Sequence, residues 1–179
     1  MFERLVVGVD PGIAATGVAA LAAGGTGAAA THPSVLWAQT VRTSPRAPEA
    51  ERLRTLYRAI RDLLEESRPE ALAVERLMWG RNAPSAMAVA RASGVVLLAA
   101  AELDVPVREY APLEVKLAVT GNGTAGKQDV RRALERLHRV RELPREPDAA
   151  DAVAVALCHL HRSPLLAGSE RFPAGRASR

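Results

Sequence analysis

Asp10 and Glu75 each close a short apolar run, Leu5 to Val9 and Ala71 to Val74. A carboxylate at the tip of a buried strand is partly desolvated and calls for a cation, and in open α/β sheets sites form beyond the carboxyl ends of the strands. Each residue also has an ordinary alternative: Asp10 begins an Asp-Pro-Gly turn, and Glu75 is a solvated edge residue. Asp148 and Asp151 lie three apart at the start of a helix, so their side chains share one face. An ordinary role competes there too, because Asp148 suits an N-cap and Asp151 suits a first helical turn. The number of carboxylates at element ends favours chemistry. Four that converge would bind two divalent ions, roughly 3.5–4 Å apart, which clamp the attacking water and the leaving oxygen of a phosphodiester. Hard oxygen ligands suit Mg²⁺ or Mn²⁺.

The basic residues point the same way. Of 24 Lys and Arg, only Lys116 and Lys127 are lysines. Codon bias towards Arg leaves a few lysines by chance; alternatively, these two sites need a compact ammonium that a guanidinium fork does not mimic. Residues 127 to 145 carry Lys127, Arg131, Arg132, Arg136, Arg139, Arg141 and Arg145 against Asp129, Glu135 and Glu142. The default for such a run is a solvated helix face, with Arg132, Arg136 and Arg139 on one side at i, i+4, i+7. Beside a metal site it becomes a phosphate-contact face, with Arg131 and Arg132 as its first candidates. Gly121 to Lys127 also fits the start of a phosphate-binding P-loop. Gln128 stands where that motif needs a Mg²⁺-binding hydroxyl, and the segment before it makes a doubtful strand, so a true P-loop is rejected.

The elements that position these groups read as follows. Leu5 to Val9 and Thr16 to Leu21 are strands, and a third falls between Ala28 and Val41 after a Gly-rich hairpin. Pro48 opens a helix with apolar residues at helical spacing from Leu53 to Leu64, and Pro69 stops it. A strand to Glu75, a long Ala-rich helix from Ser85 to Leu103, a fifth strand from Val105 to Tyr110 and a short helix from Leu113 to Val119 follow. Helices from Lys127 to Arg139 and from Asp148 to His161 complete the order. The long helix is apolar nearly all round, so both its faces should be covered. The fold class is α/β: a mixed five-stranded sheet, three antiparallel strands and then parallel ones, flanked by helices. Residues 1–162 form one domain, and residues 163–179, rich in Gly, Ser, Pro and Arg, a flexible basic tail.

Composition bounds the class. With 48% hydrophobic residues among 179, the chain buries a sizeable core, and with 3% aromatics that core is Ala, Val and Leu. A net charge of +4 leans towards an anionic partner. One cysteine, Cys158, excludes an internal disulfide and suits a cytoplasmic location. The sequence shows no signal peptide, and its longest apolar run, Ala92 to Ala101, is too short to span a bilayer, so no membrane role is expected.

These residues, in this order, resemble the RuvC family. The matching blocks are Val7 to Gly12 with Thr16-Gly17, Ala73 to Met78 with Asn82, Tyr110 to Lys116, Thr120 to Lys127, and Pro147 to Ala152. The resemblance covers residues 4 to 162 and implies a ribonuclease H-like fold. It implies a Holliday-junction resolvase: a homodimer that binds a four-way junction and nicks two strands symmetrically in DNA recombination and repair, with a branch-migration helicase complex as partner. It assigns Asp10, Glu75, Asp148 and Asp151 as metal-binding catalytic carboxylates, and Lys116 and Lys127 as DNA contacts. The helix from Ser85 would pack against its dimer mate. Two positions depart from the family: Met78, beside Trp79, stands where an aromatic residue stacks on a base near the crossover, and Gly126 stands where an acidic residue is common. Met78 or Trp79 is therefore the expected wedge.

Three other readings compete. A resolvase-like nuclease of ribosomal RNA precursors shares the Asp-x-Gly start but is shorter and lacks the Val-Lys and Asp-Ala-Ala-Asp-Ala patterns. Actin-like ATPases need two such domains, and 179 residues hold one. A non-catalytic junction-binding protein needs no carboxylates at strand ends.

Overall fold

The structure, a computed structural model, describes residues 4–23, 33–77, 83–140 and 143–169. β1 (Arg4–Asp10) pairs antiparallel with β2 (Ala15–Ala23), which pairs antiparallel with β3 (Ser34–Arg42). On the other side β1 pairs parallel with β4 (Ala71–Glu75), and β4 parallel with β5 (Val107–Tyr110). The sheet order is therefore β3-β2-β1-β4-β5. This is the expected mixed sheet, with three antiparallel strands and then parallel ones.

Alternation along the strands splits the core into two layers. Val7, Val9, Val18, Ala20, Leu72 and Val74 face one way. There they meet Leu56, Ile60 and Leu64 of α1 (Glu49–Ser67) and Ala92, Val96, Ala99 and Ala100 of α2 (Ala83–Glu102). Val6, Ala19, Leu21 and Ala73 face the other way, towards α5 (Pro147–Ser169), with α3 (Pro112–Thr120) and α4 (Lys127–Arg136) packed beside it.

α5 lies unusually close to the sheet because glycines face it. A Cβ on Gly8 would sit 2.2 Å from the Ala152 carbonyl oxygen, and one on Gly17 would sit 1.8 Å from that of Asp148. No side-chain rotation relieves a clash with backbone, so these positions accept no other residue without moving the helix.

Two boundaries differ from those read in the sequence. α5 runs through Ser163-Pro164 to Ser169, beyond the His161 at which the sequence reading ends it. A proline costs a helix one backbone donor but need not end it. α4 ends at Arg136, and Arg139 has left-handed backbone at φ 51°. Arg132, Arg136 and Arg139 therefore do not form one helical face. Leu134 is buried and its carbonyl accepts from the Val140 N–H, which turns the chain away from the helix after Leu137.

Candidate active site

The parallel register places the first two carboxylates. Val9 pairs with Val74, so Asp10 and Glu75 follow side by side at the ends of adjacent strands, which lie about 4.8 Å apart. They share the face of Gly8 and Ala73, the face that α5 covers. Asp10 is paired in turn with Gly17 of β2, and Gly17 touches the backbone of Asp148. The first turn of α5 is thereby set down over the end of β1. Asp148 lies within that turn rather than at the N-cap, because α5 begins at Pro147. Thr16 is fully buried and closes the loop after Asp10, its hydroxyl donating to the Gly12 carbonyl at 2.6 Å. The sequence did not disclose what Thr16, Gly8 and Gly17 do; an apolar strand interrupted by glycine was the available sign.

Asp10, Glu75 and Asp151 line a cleft of about 220 Å³, with Lys116 and Lys127 on its wall. Its electrostatics are those of crowded acids. The Asp10 carboxyl is pushed up to about 7, first by burial and then by the charges of Glu75, Asp151 and Asp148, with Lys127 opposing. Glu75 is raised by burial and by Asp151, against Lys127 and Lys116. The Lys127 ammonium donates to Asp151 Oδ2 at 2.9 Å, which raises its own pKa. Among the described residues, no three His, Cys, Asp or Glu side chains stand as a ready metal cage. Lys127 occupies one of the carboxylates instead. The donor set nonetheless fits a hard divalent cation: all oxygen, partly buried, and crowded with like charge.

Lys127 opens α4 as Gly126 closes the loop before it, the Gly126 N–H donating to Asp129 Oδ2 at 3.1 Å. That loop follows helix α3 rather than a strand, with Gly121 at φ 75° as the α3 cap, which agrees with rejecting a P-loop. Arg131 donates to the Pro144 carbonyl at 3.0 Å and pairs with Glu135 at 3.2 Å, so its guanidinium is spent on the fold. Arg132 pairs with Asp129 and stays exposed. Met78, Trp79 and Asn82 lie outside the described residues.

A mixed five-stranded sheet with carboxylates at two central strand ends, and more on the helix laid across them, defines a nuclease of the ribonuclease H-like fold. The family model of crossover junction endodeoxyribonuclease RuvC matches residues 6–159. The RuvC of Moorella thermoacetica is 44% identical over 160 residues, covering 89% of this chain and 93% of that protein. A Thermus thermophilus RuvC structure superposes with a TM-score of 0.81 at 37% identity, covering 90% of this chain and 96% of that one. The T. thermophilus protein in complex with Holliday junction substrate gives 0.81 at 36% identity over the same shares. The chain belongs to the RuvC family of crossover junction endodeoxyribonucleases.

Proposed function

We propose that this chain resolves Holliday junctions in recombination and repair, nicking two strands with Asp10, Glu75, Asp148 and Asp151 as its catalytic metal ligands. The observation that carries this is the acidic cleft flanked by Lys116 and Lys127. Mg²⁺ or Mn²⁺, two ions in each site, would be held by the four carboxylates and would stabilise charge on the attacking and leaving oxygens. Without a cation, the crowded acids relieve themselves by holding a proton on Asp10. Lys116 and Lys127 draw in a backbone that the carboxylates alone would repel. Lys127 exchanges Asp151 for a phosphate, and Arg132 extends the basic rim. Divalent-ion-dependent, symmetric nicking of a synthetic four-way junction tests the reading; binding without nicking, or preferred cutting of RNA, overturns it.

Lys116→Ala and Lys127→Ala should each weaken junction binding and flatten its salt dependence by about one unit of log–log slope. Lys127→Arg restores charge but not the point geometry that Asp151 and a phosphate share. Unchanged slopes in both alanine variants would remove the lysines from the interface.

The chain acts as a homodimer through the outer face of α2. Its inner face is core, with Val96 fully buried, yet Met87 and Leu98 are 46% and 52% exposed, and Gly94 looks onto open space. Leu98→Glu should leave the melting temperature nearly unchanged and convert a dimer to a monomer in sedimentation. A wild-type monomer at micromolar concentration would contradict this. Val96→Glu, by contrast, should unfold the chain. A cytoplasmic location and a branch-migration helicase partner complete the reading on family grounds; no described helix is long and apolar enough to cross a membrane.

A further inference from the structure

The turn that ends α4 delivers a side chain that the acidic cleft does not use. His138 follows the α4 cap Leu137, and its backbone N–H still donates to the Ala133 carbonyl at 3.1 Å. Its ring meets that of His161 on α5, with centroids 5.0 Å apart and planes inclined at 46°. Both rings stand against the end of α3. His138 Nε2 lies 2.8 Å from the Val119 carbonyl oxygen, and His161 Nδ1 lies 3.4 Å from that of Ala118. A carbonyl only accepts, so each of those ring nitrogens carries a proton. In a neutral imidazole the other nitrogen then holds a free lone pair: Nδ1 on His138 and Nε2 on His161. Capping the last carbonyls of α3 explains one nitrogen of each ring and leaves the second unused by the fold.

We propose that His138 and His161 together bind one Zn²⁺-class divalent cation, at a site separate from the carboxylates. An imidazole that ligates a metal donates its other N–H to a carbonyl or carboxylate, which fixes the ring, and both rings are held in that way. With a metal–nitrogen distance of about 2.1 Å, two rings on one ion have centroids about 4.6 Å apart at a right angle and about 5.3 Å apart at a tetrahedral one. The observed 5.0 Å falls between the two. The carboxyl end of α3 carries the negative pole of the helix dipole, which favours a cation there. Imidazole suits zinc, nickel and copper, whereas carboxylate oxygen suits magnesium and manganese, so the two sites sort different ions. Among the described residues no third His, Cys, Asp or Glu joins the pair, so water completes the coordination. His161 is exposed, and an ion reaches it from solvent. It stands ten residues along α5 from Asp151, roughly 15 Å away. An ion there ties the end of α4 to α5 across the end of α3, the three helices that carry Lys127, Asp151 and Lys116. Its role is a clasp on those helices, independent of whether the chain cuts junctions.

The test is calorimetric titration of the full chain, without an affinity tag, with Zn²⁺ at about pH 7.5, above the ordinary imidazole range. Excess Mg²⁺ keeps the carboxylates occupied. Two variants keep the hydrogen bonds to α3 and remove the metal-binding nitrogen. His138→Gln retains an N–H in place of Nε2, and His161→Asn retains one in place of Nδ1. Each should weaken Zn²⁺ binding about tenfold or more. Each should also melt near the wild-type temperature without Zn²⁺ and lose the rise that Zn²⁺ gives the wild type. No saturable Zn²⁺ binding by the wild type overturns the proposal. So does wild-type affinity in either variant, which would assign the ion to other ligands. Should a variant not fold, proton magnetic resonance of the wild type decides: one equivalent of Zn²⁺ should shift the ring protons of two of the four histidines. Unmoved ring protons overturn the site.

Discussion

Asp10→Asn should abolish nicking and, with no divalent ion present, make the protein more resistant to heat than the wild type. The two effects have one cause. Asp10 is held at about 7 in the fold by burial and by Glu75, Asp151 and Asp148, against 3.8 for the free side chain. A carboxyl raised in the folded state keeps its proton there longer than in the unfolded chain. Between pH 4 and 7 the folded state therefore binds more protons, and stability falls as pH rises. The loss approaches about 1.4 kcal/mol for each pH unit across that window and is complete above it. Asparagine has nearly the same shape and never ionises, so the variant escapes the penalty. At pH 8 its melting temperature should stand several degrees above wild type, at about 2–4 °C per kcal/mol for a chain of this size; at pH 4 the two should converge. Mg²⁺ should raise the melting temperature of the wild type and much less that of the variant. Cleavage should fall by about a thousandfold or more, since a ligand that stabilises transition-state charge contributes several kcal/mol. Melting curves across pH, with junction cleavage beside them, decide the matter. A variant no more stable than wild type at pH 8 would mean that the acids do not strain the fold.

Much of this arrangement was legible in the sequence because burial writes itself into residue type. Leu5 to Val9 and Ala71 to Val74 are apolar on both faces, as strands buried on both sides must be, so Asp10 and Glu75 stood out as the first charged residues after each run. Their adjacency was not legible. It depends on the pairing of Val9 with Val74, which is set by the whole connection from β1 to β4. The ion pair of Lys127 with Asp151 was likewise hidden, since its partners lie on different helices. Arg139 was misplaced because spacing extrapolates a helix that the buried Leu134 and the turn at Val140 have already ended. The Gly, Ser, Pro and Arg composition from residue 163 reads as a tail, whereas α5 continues through Pro164 to Ser169. Met78 and Trp79, the expected wedge candidates, lie outside the described residues.

Gly17→Ala should cost cleavage about a hundredfold or more without altering any charge in the site. Gly17 faces α5 at its first turn, and the added methyl carbon would stand 1.8 Å from the Asp148 carbonyl oxygen and 2.3 Å from its carbon. Both are backbone atoms, so the strand or the helix must move. The strand is held on both sides, Gly17 being paired with Asp10 on β1 and with Thr40 on β3. The helix is held further along, where residues 152 to 160 are all buried. Its first turn is therefore the part that yields, and that turn carries Asp148 and Asp151. A displacement of about 1 Å in a reacting constellation costs on the order of a hundredfold in rate. Overpacking of this kind costs about 1–3 kcal/mol in stability, so the melting temperature should drop while the fold persists. Lys116 belongs to α3 and Lys127 to α4, so junction binding should stay within a few-fold of wild type with an unchanged salt slope. That combination separates a misplaced helix from an unfolded protein and from a lost phosphate contact. Tighter evidence comes from the metal: Mg²⁺ should stabilise Gly17→Ala less than wild type, because two of the four proposed ligands, Asp148 and Asp151, would have shifted. Cleavage within a few-fold of wild type would show that the contact between β2 and α5 does not set the position of Asp148, and the geometric account of the site would fail with it.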